Sequence, residues 1–506
     1  MTAMTPVLDC SLSQSTAEQS STLLIGGRWC SGSDGRCFVV EDPASGYPVC
    51  EAVDASPGDA IAALDAADAA QADWARAAPR DRAEILRRAF DLLTADAGAF
   101  ASIITQETGK PLSEARGEVA YAAEFLRWFS EEAVRVHGRY QAAPDGKLRH
   151  LISRKPVGPC LLVTPWNFPL AMVARKIAPA VAAGCTMVVK PSELTPATAA
   201  RFAALMTEAG LPAGVLNLVS TIRAEAAIAA LLADPRLRKL SFTGSTRVGR
   251  LLLAATATNV QRSSLELGGN APFIVFEDAD LDAAIEGALH AKLRNAGQAC
   301  TAANRFLVHE AIADEFVSRL GHAFAEIAAG DRGDMIGPLI SEGARAHVHA
   351  LVNDARARGA RLIAGGELPE GPGYFYPPTL LAEVAPGSRL LDEEIFGPVA
   401  PVQRFACEAE AVTAANATPY GLAAYAYTAD LDRALRLHDE LDVGMLGINS
   451  GLVSDPAAPF GGVKHSGLGR EGGTEGIEEY VSVRYAAIGR DGRQARGLLP
   501  PLEVAA

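Results

Sequence analysis

One cysteine of the chain lies where its sulfur could be approached. Cys300 ends the stretch R-N-A-G-Q-A-C (residues 294–300), and its neighbours Gly297, Ala299 and Ala302 are too small to bury a sulfur. An approachable thiol can act as a nucleophile, whereas a cysteine packed in a core cannot. A packing cysteine is the alternative. Covalent chemistry at Cys300 therefore needs a base, an oxyanion donor and an electron acceptor from other parts of the chain.

Two polar residues could supply the oxyanion donor and the base. Asn167 lies between two prolines in T-P-W-N-F-P (residues 164–169), and these fix the backbone, so its amide would be a rigid hydrogen-bond donor. Glu266 ends an apolar run and is followed by L-G-G, a setting in which a desolvated carboxylate has a raised pKa and can activate water. A loop-stabilising asparagine and a surface glutamate are the alternatives.

Two strand ends could hold a nucleotide. Gly244 and Ser245 form a turn between a strand-like and a helix-like run, where free amide groups could bind phosphate. Lys190 and Glu193 follow another strand and could hold ribose hydroxyls. The acid precedes the glycine turn, whereas the ordinary dinucleotide fingerprint places it about 20 residues later, so we expect a different binding mode. An ordinary turn and a surface ion pair are the alternatives.

The elements around these residues alternate between strands and helices. Residues 157–267 alternate apolar strands with alanine-rich helices, and a second such pattern covers 272–449. This rhythm predicts α/β structure with parallel sheets covered by helices. Residues 57–139 have helical periodicity and predict surface helices that carry no chemistry. Residues 148–156 and 477–485 are strand-like, and the isolation of the second favours pairing with another subunit.

Composition excludes several classes of function. The 506 residues are 49% hydrophobic and 21% charged, which is typical of a soluble globular protein. The net charge of −14 argues against binding to nucleic acid or to an anionic membrane. The eight cysteines form no C-x-x-C pair and no cluster with zinc-ligand spacing, so we expect no metal. We find no secretory signal and no transmembrane run, which favours a cytoplasmic protein.

The motifs together resemble one family over residues 23–485. In order, they are T-P-W-N-F-P, V-V-K-P-S-E, F-T-G-S-T, L-E-L-G-G, G-Q-A-C, E-E-I-F-G-P-V and P-F-G-G-V-K-x-S-G-L-G-R-E-G. The chain is thus similar to the NAD(P)-dependent aldehyde dehydrogenases. The resemblance implies that family's fold, which has two parallel-sheet α/β domains and a small β extension for oligomerisation. The implied parts are a disordered tail (1–20), a cofactor-binding domain (21–145 and 157–265), oligomerisation strands (146–156 and 477–488), a catalytic domain (266–476) and a C-terminal tail (489–506).

The resemblance also implies roles for individual residues. Cys300 would be the nucleophile, Asn167 the oxyanion donor and Glu266 the general base. The implied cofactor-binding residues are Thr164, Pro165, Trp166, Lys190, Ser192, Glu193, Gly244, Ser245, Leu267, Glu394 and Phe396. NAD is favoured because Glu193 would repel a 2′-phosphate, although NADP remains possible. The expected assembly is a homodimer or homotetramer.

Two arginines narrow the substrate to an aldehyde that carries a carboxylate. Arg175 follows the T-P-W-N-F-P loop, Arg294 precedes the nucleophile, and a guanidinium is the natural clamp for a carboxylate. These positions resemble the succinate-semialdehyde dehydrogenase branch, which implies that Ser454 also holds the substrate. Many members of that branch carry a second cysteine two residues after the nucleophile; here that residue is Ala302, so we expect no disulfide switch.

Other activities remain as alternatives. They are oxidation of glutarate semialdehyde or of a general aldehyde, transfer of the acyl group to coenzyme A, and a non-catalytic binding role on the same fold. The presence of Glu266 argues against coenzyme A transfer, because that reaction does not need a residue that activates water.

Overall fold

The computed structural model describes residues 22–327 and 336–489. The tails predicted at 1–20 and 489–506 lie outside the described residues, except for Gly489, which ends a strand. In chain order, the strands are β1 (Leu23–Ile25), β2 (Arg28–Trp29), β3 (Cys37–Glu41), β4 (Pro48–Val53), β5 (Arg139–Ala142), β6 (Leu148–Pro156), β7 (Cys160–Val163), β8 (Met187–Lys190), β9 (Leu216–Val219), β10 (Lys239–Thr243), β11 (Arg262–Glu266), β12 (Ala271–Val275), β13 (Ala303–His309), β14 (Arg361–Ala364), β15 (Thr379–Ala382), β16 (Val399–Phe405), β17 (Ala423–Tyr427), β18 (Met445–Ile448), β19 (Gly467–Leu468) and β20 (Val481–Gly489).

The helices fall between these strands and cover the sheets. They are α1 (Pro57–Arg76), α2 (Pro79–Ala95), α3 (Ala97–Thr108), α4 (Leu112–Glu132), α5 (Pro169–Ala183), α6 (Pro196–Glu208), α7 (Ala224–Ala233), α8 (Thr246–Thr256), α9 (Leu281–Leu293), α10 (Ala313–Glu326), α11 (Glu342–Ala357), α12 (Arg389–Asp392), α13 (Glu408–Asn416), α14 (Leu431–Glu440) and α15 (Glu475–Glu478). Among the described residues, no helix combines the length and the apolar character needed to cross a membrane.

The first sheet has the strand order β19-β11-β10-β7-β8-β9-β1-β2. Its central strands β11, β10, β7, β8 and β9 run parallel, so their carboxyl ends meet at one edge. Ligands of open parallel sheets bind at this edge. The residues that follow β7, β8, β10 and β11 are Thr164, Pro191, Gly244 and Leu267, which brings four of the predicted motifs to the same edge.

The second sheet has the order β14-β15-β16-β13-β12-β17-β18, in which only β14 is antiparallel. A short link from β11 to β12 joins it to the first sheet. The link passes so close to the nucleophile loop that a Cβ on Gly269 would lie 2.5 Å from the carbonyl oxygen of Cys300. Glycine is needed there because two backbones approach each other. Two sheets of mainly parallel strands covered by helices agree with the predicted fold class.

The third sheet has the order β20-β6-β5 and differs in its bounds from the predicted pair of strands. β5 lies in the segment predicted for the cofactor domain, yet it pairs with β6 from Arg139 to Ala142. Residues 477–478 are the end of α15, and the strand begins only at Val481. The apolar and aromatic residues of 477–485 predicted a single strand. The pattern of side chains does not show that a helical turn occupies the first residues of this segment, before the strand begins.

Helix α5 is the most deeply buried helix beside the candidate site and carries Arg175. Every residue of it is buried, and alanine and valine allow the close packing that α2 and α4 make with it. Pro169 begins the helix, and Gly184 ends it in the left-handed conformation. A helix buried on all sides is held rigidly, so the side chains that it carries have fixed positions.

Candidate active site

Cys300 lies at the junction of two cavities. A cavity of about 300 Å³ extends from its sulfur toward Arg175, Arg294 and Ser454. A second cavity of about 270 Å³ extends in the direction of Gly244 and is also lined by Cys300. A nucleophile between two cavities can contact a substrate in one and a second reactant in the other. The packing alternative is therefore wrong for this cysteine, which is half-buried and lines both spaces.

The turn before the nucleophile is strained and held by side chains. Helix α9 ends at Leu293, and Asn295 and Ala296 both have left-handed backbones, with φ of 53° and 54°. A left-handed residue other than glycine costs about 1–3 kcal/mol and persists only where the surroundings fix it. The side chain of Gln298 does so: its Nε2 donates to the carbonyl of Pro338 at 3.1 Å, and its Oε1 accepts from the Ile340 amide at 2.9 Å.

The environment of the thiol keeps it protonated at rest. Burial raises the pKa of Cys300 to about 12, and the carboxylates of Glu394 and Glu266 add to this effect. The cations Arg175 and Arg294 act in the opposite direction. Since the thiolate is the reactive form, the site must provide a group that takes the thiol proton.

Asn167 is hydrogen-bonded to the nucleophile loop. Its Nδ2 donates to the carbonyl of Gln298 at 3.0 Å, and its backbone carbonyl accepts from Asn295 Nδ2 at 2.9 Å. One of the two Nδ2 hydrogens is thus used, and the other remains for an oxyanion beside Cys300. The rigidity comes mainly from these long-range bonds, which the sequence motif did not show.

Glu266 ends β11 and is buried at the second cavity. Neither of its carboxyl oxygens has a hydrogen-bond partner among the described residues. Burial, reinforced by the negative charge of Glu471, raises the pKa of Glu266 well above its ordinary value. A buried, unpartnered carboxylate with a raised pKa can accept a proton from water or from a thiol. The surface-glutamate alternative is wrong.

A buried cluster of charges lies behind Glu266 and was not predicted. Lys176 Nζ donates to Glu471 Oε1 at 2.5 Å and to Ser241 Oγ at 2.9 Å. Arg175 Nε lies 2.8 Å from Glu471 Oε2. Burial opposes ionisation of Glu471, but Lys176 and Arg175 hold its pKa below the ordinary value. Glu471 is therefore a fixed negative charge that helps to set the proton affinity of Glu266.

The structure brings the three predicted substrate residues together. Arg175, Arg294 and Ser454 all line the first cavity. Arg175 lies 4.0 Å from the Phe460 ring, Arg294 lies 5.2 Å from the Phe168 ring, and Nη2 of Arg175 has no hydrogen-bond partner among the described residues. A buried and a half-buried guanidinium in an aromatic-walled cavity fit a ligand carboxylate. Arg175 is 1% exposed and is therefore not a solvated arginine on the surface of its helix.

The predicted cofactor residues form two groups. Those that line the second cavity are Pro165, Trp166, Gly244, Ser245, Leu267, Glu394 and Phe396. The others are Thr164, Lys190, Ser192 and Glu193, which lie at the ends of β7 and β8 in the same sheet edge and do not line that cavity.

The shape and polarity of this edge fit a dinucleotide. Ser245 caps α8, whose first amides face the edge where phosphate would lie. The buried hydroxyls of Thr164 and Thr243 have no hydrogen-bond partner among the described residues, so they are available to a ligand. Trp166 and Phe396 pack edge to face with ring centroids 5.5 Å apart.

Comparison with known proteins assigns the family. Residues 29–486 match the model of the aldehyde dehydrogenase family. The chain belongs to the aldehyde dehydrogenase family. This confirms the family predicted from the motifs.

Individual aldehyde dehydrogenases resemble the chain over most of its length. A succinate-semialdehyde dehydrogenase of Paenarthrobacter nicotinovorans is 60% identical over 437 residues, which are 86% of this chain and 97% of the relative. A glutarate-semialdehyde dehydrogenase of Pseudomonas aeruginosa is 44% identical over 468 residues, which are 92% of this chain and 97% of the relative. The crystal structure of an Escherichia coli NADP dependent enzyme superposes with a TM-score of 0.91 at 45% identity and covers 92% of this chain and 98% of its own.

Helix α4 contributes residues that the sequence analysis of this aldehyde dehydrogenase missed. Glu114, Glu118 and Tyr121 line the first cavity together with Ser454. The expectation that residues 57–139 carry no chemistry was therefore wrong. The available signal was an E-x-x-x-E-x-x-Y spacing, which places the three side chains on one face of the helix. Helical periodicity alone does not tell whether that face meets solvent or a cavity.

Proposed function

We propose that this aldehyde dehydrogenase oxidises an aldehyde with a distant carboxylate, and that succinate semialdehyde, which it converts to succinate, is the best substrate. One observation carries the proposal: Arg175 and Arg294 line the same cavity that ends at the sulfur of Cys300. An aldehyde whose carboxylate meets the guanidinium groups has its carbonyl directed toward the thiol. The name of the 60% identical relative supports the same substrate.

Glu266 takes the proton of the Cys300 thiol and passes it to solvent, and the resulting thiolate adds to the carbonyl carbon. The oxyanion formed is held by the Asn167 amide and by the backbone N–H of Cys300. When bound, the nicotinamide cofactor supplies the acceptor for the hydride that leaves as the cysteine adduct becomes a thioester. Glu266 then takes a proton from water, which attacks the thioester and releases the acid. The raised pKa of Glu266 suits this step, because its conjugate acid holds the proton taken from water.

The cofactor would be held by the groups at the edge of the first sheet. Lys190 and Glu193 would bind the adenosine ribose, Gly244 and Ser245 the pyrophosphate, and Glu394 with Phe396 the nicotinamide ribose. NAD is favoured, because Glu193 would repel a 2′-phosphate. Use of NADP remains possible, because the Glu193 side chain is 44% exposed and can turn outward. The NADP dependence of the Escherichia coli enzyme supports testing both cofactors.

Domains and assembly follow the same family pattern. We infer a cofactor-binding domain from 21–145 and 157–265, a catalytic domain from 266–476, and oligomerisation strands in 146–156 and 477–488, to which β5 adds a third strand. The exposed apolar side chains of Val483, Tyr485 and Ile488 on β20 support a homodimer or homotetramer. The proposed location is the cytoplasm.

A substrate panel tests the function directly. The purified protein is supplied with succinate semialdehyde, glutarate semialdehyde, butanal or betaine aldehyde, and NADH or NADPH is followed by absorbance. We expect the highest kcat/KM with succinate semialdehyde, and no dependence on coenzyme A. Glutarate semialdehyde is the second candidate because a 44% identical relative carries that name. Equal kcat/KM for butanal and succinate semialdehyde would contradict the proposal.

A further inference from the structure

A buried ion pair at the candidate site lies outside the set of predicted residues: it joins Lys110 to Glu118, which also lines the first cavity. Lys110 and Glu118 are 2% and 4% exposed, and Lys110 Nζ donates to Glu118 Oε2 at 2.7 Å. A buried ion pair is weak evidence for stability, because apolar residues of similar volume often serve as well. The remaining bonds of the pair therefore matter more than the pair itself.

Lys110 makes its second hydrogen bond to the residue proposed as the oxyanion donor. Its Nζ donates to the backbone carbonyl of Asn167 at 2.8 Å and lies 4.5 Å from the centre of the Phe168 ring. The same carbonyl accepts from Asn295 Nδ2 at 2.9 Å. Two donors from opposite sides thus fix the peptide from which the Asn167 amide extends toward Cys300.

Glu118 uses its other oxygen on the helix that follows. Its Oε1 accepts from the backbone amides of Leu170 and Ala171 at 2.9 and 3.2 Å. These are first-turn amides of α5, which no carbonyl within the helix can satisfy. Arg175 lies in the next turn of α5. One ion pair therefore fixes the Asn167 peptide on one side and the start of the helix that carries Arg175 on the other.

We propose that Lys110 and Glu118 are positioning residues for the reaction, and that Lys110 affects turnover through Asn167. The proposal rests on the proposed function only in that Asn167 stabilises the oxyanion. Active-site groups must lie within about 0.5 Å of their productive positions. A misplacement of about 1 Å can cost on the order of 10²-fold in rate. Loss of the Lys110 bond leaves the Asn167 carbonyl with Asn295 alone.

A double-mutant cycle separates positioning from general damage. Lys110→Met should lower kcat by about 10- to 100-fold in the wild-type background while leaving KM for the cofactor unchanged. In the Asn167→Ala background the same change should lower kcat by less than about 2-fold, because the group that it positions is absent. Equal losses in both backgrounds would overturn the proposal.

Arg82 offers a matched control at the other end of α5. It is buried, and it donates to the carbonyls of Ala182 at 3.0 Å and Ala77 at 2.6 Å. Arg82→Met should lower the thermal midpoint as Lys110→Met does, yet keep kcat within about 2-fold of wild type. A loss of kcat as large as that of Lys110→Met would also overturn the proposal.

Two provisions keep the experiment decisive. If Lys110→Met does not fold, it is replaced by the double variant that carries Lys110→Met and Glu118→Gln. This variant removes both charges and leaves no unpaired buried carboxylate, and its kcat is measured with and without Asn167→Ala in the same cycle. The cycle uses whichever aldehyde of the panel the wild type oxidises fastest. Failure to oxidise succinate semialdehyde would then refute the proposed substrate, whereas equal losses in the two backgrounds would refute the role of Lys110.

Discussion

The sharpest test of substrate choice is Arg294→Met. Arg294 is half-buried on the wall of the first cavity and lies over the Phe168 ring at 5.2 Å. Methionine keeps an unbranched apolar stem against that ring and removes only the charge. The change should therefore weaken binding of a substrate carboxylate without opening the wall of the cavity.

The expected magnitude follows from the burial of the guanidinium. A hydrogen bond to a charged group contributes about 1.5–3 kcal/mol, and each 1.36 kcal/mol is a factor of ten in rate, so complete loss corresponds to about 10- to 150-fold. Water reaches part of Arg294 and screens its charge, so the lower part of that range applies. We expect kcat/KM for succinate semialdehyde to fall about 10- to 30-fold.

The assay compares two aldehydes of equal chain length. Butanal lacks the carboxylate, so Arg294→Met should leave its kcat/KM within about 2-fold of wild type. Arg127→Met is the matched control: Arg127 lies on an adjoining surface cavity that also includes Ser454, and it pairs only loosely with Glu124 at 3.5 Å. Arg127→Met changes the net charge by the same amount as Arg294→Met, but it should not change the ratio of kcat/KM for succinate semialdehyde to kcat/KM for butanal. If Arg294→Met lowers kcat/KM equally for both aldehydes, Arg294 does not bind the substrate carboxylate.

Further predictions concern the reacting groups and the cofactor. Asn167→Ala should retain cofactor binding, measured by fluorescence titration, and lose about 10²–10³-fold in turnover; unchanged turnover would remove it from the mechanism. Burial raises the pKa of Glu266 above its ordinary value of 4.5, so turnover should continue to increase with pH above 4.5 as Glu266 loses its proton. The variant Glu266→Gln should accumulate thioester, detectable by mass spectrometry. Rapid release of acid by this variant would contradict the role of Glu266 as the base. Peroxide inactivation of Cys300 should not be reversed through a disulfide with a near neighbour, because Ala302 occupies that position; a disulfide between Cys300 and a near neighbour, detected by mass spectrometry and broken by dithiothreitol, would contradict this. Glu193→Gln should raise kcat/KM for NADP relative to NAD, and an unchanged ratio would exclude charge repulsion as the basis of cofactor choice.

Much of the site could be predicted because it is built from short segments at strand ends. The motifs at Asn167, Lys190, Gly244 and Glu266 each follow a strand, and a parallel sheet places such ends at one edge. The alternating pattern predicted over 272–449 includes α9 and the strand β13, which lie on either side of Cys300. A sequence pattern can predict contacts within one segment and contacts between the equivalent ends of neighbouring strands.

The missed residues have partners that are distant in the chain. Lys110 contacts a carbonyl 57 residues away, and Lys176 contacts Glu471 across 295 residues. Each lysine lies in or next to a helix, where charged residues usually face solvent. Sequence pattern gave no sign that α4 packs on α5, and only that packing turns Glu114, Glu118 and Tyr121 toward a cavity.

Arg175 lines the first cavity, but this position alone does not show whether it acts on the substrate, on the reacting groups or on both. Its Nε lies 2.8 Å from Glu471 Oε2, its side chain lines the first cavity, and its charge favours ionisation of both Cys300 and Glu266. Arg175→Met would remove the clamp, release Glu471 to Lys176 alone, and raise the pKa of the thiol and of the base together. A loss of activity in that variant could not be assigned to substrate binding. Arg294 also lowers the pKa of the Cys300 thiol, but less than Arg175 does. Butanal needs the same thiol, so its kcat/KM corrects for this effect in Arg294→Met, and the difference between the two variants measures how far Arg175 also tunes the reacting groups.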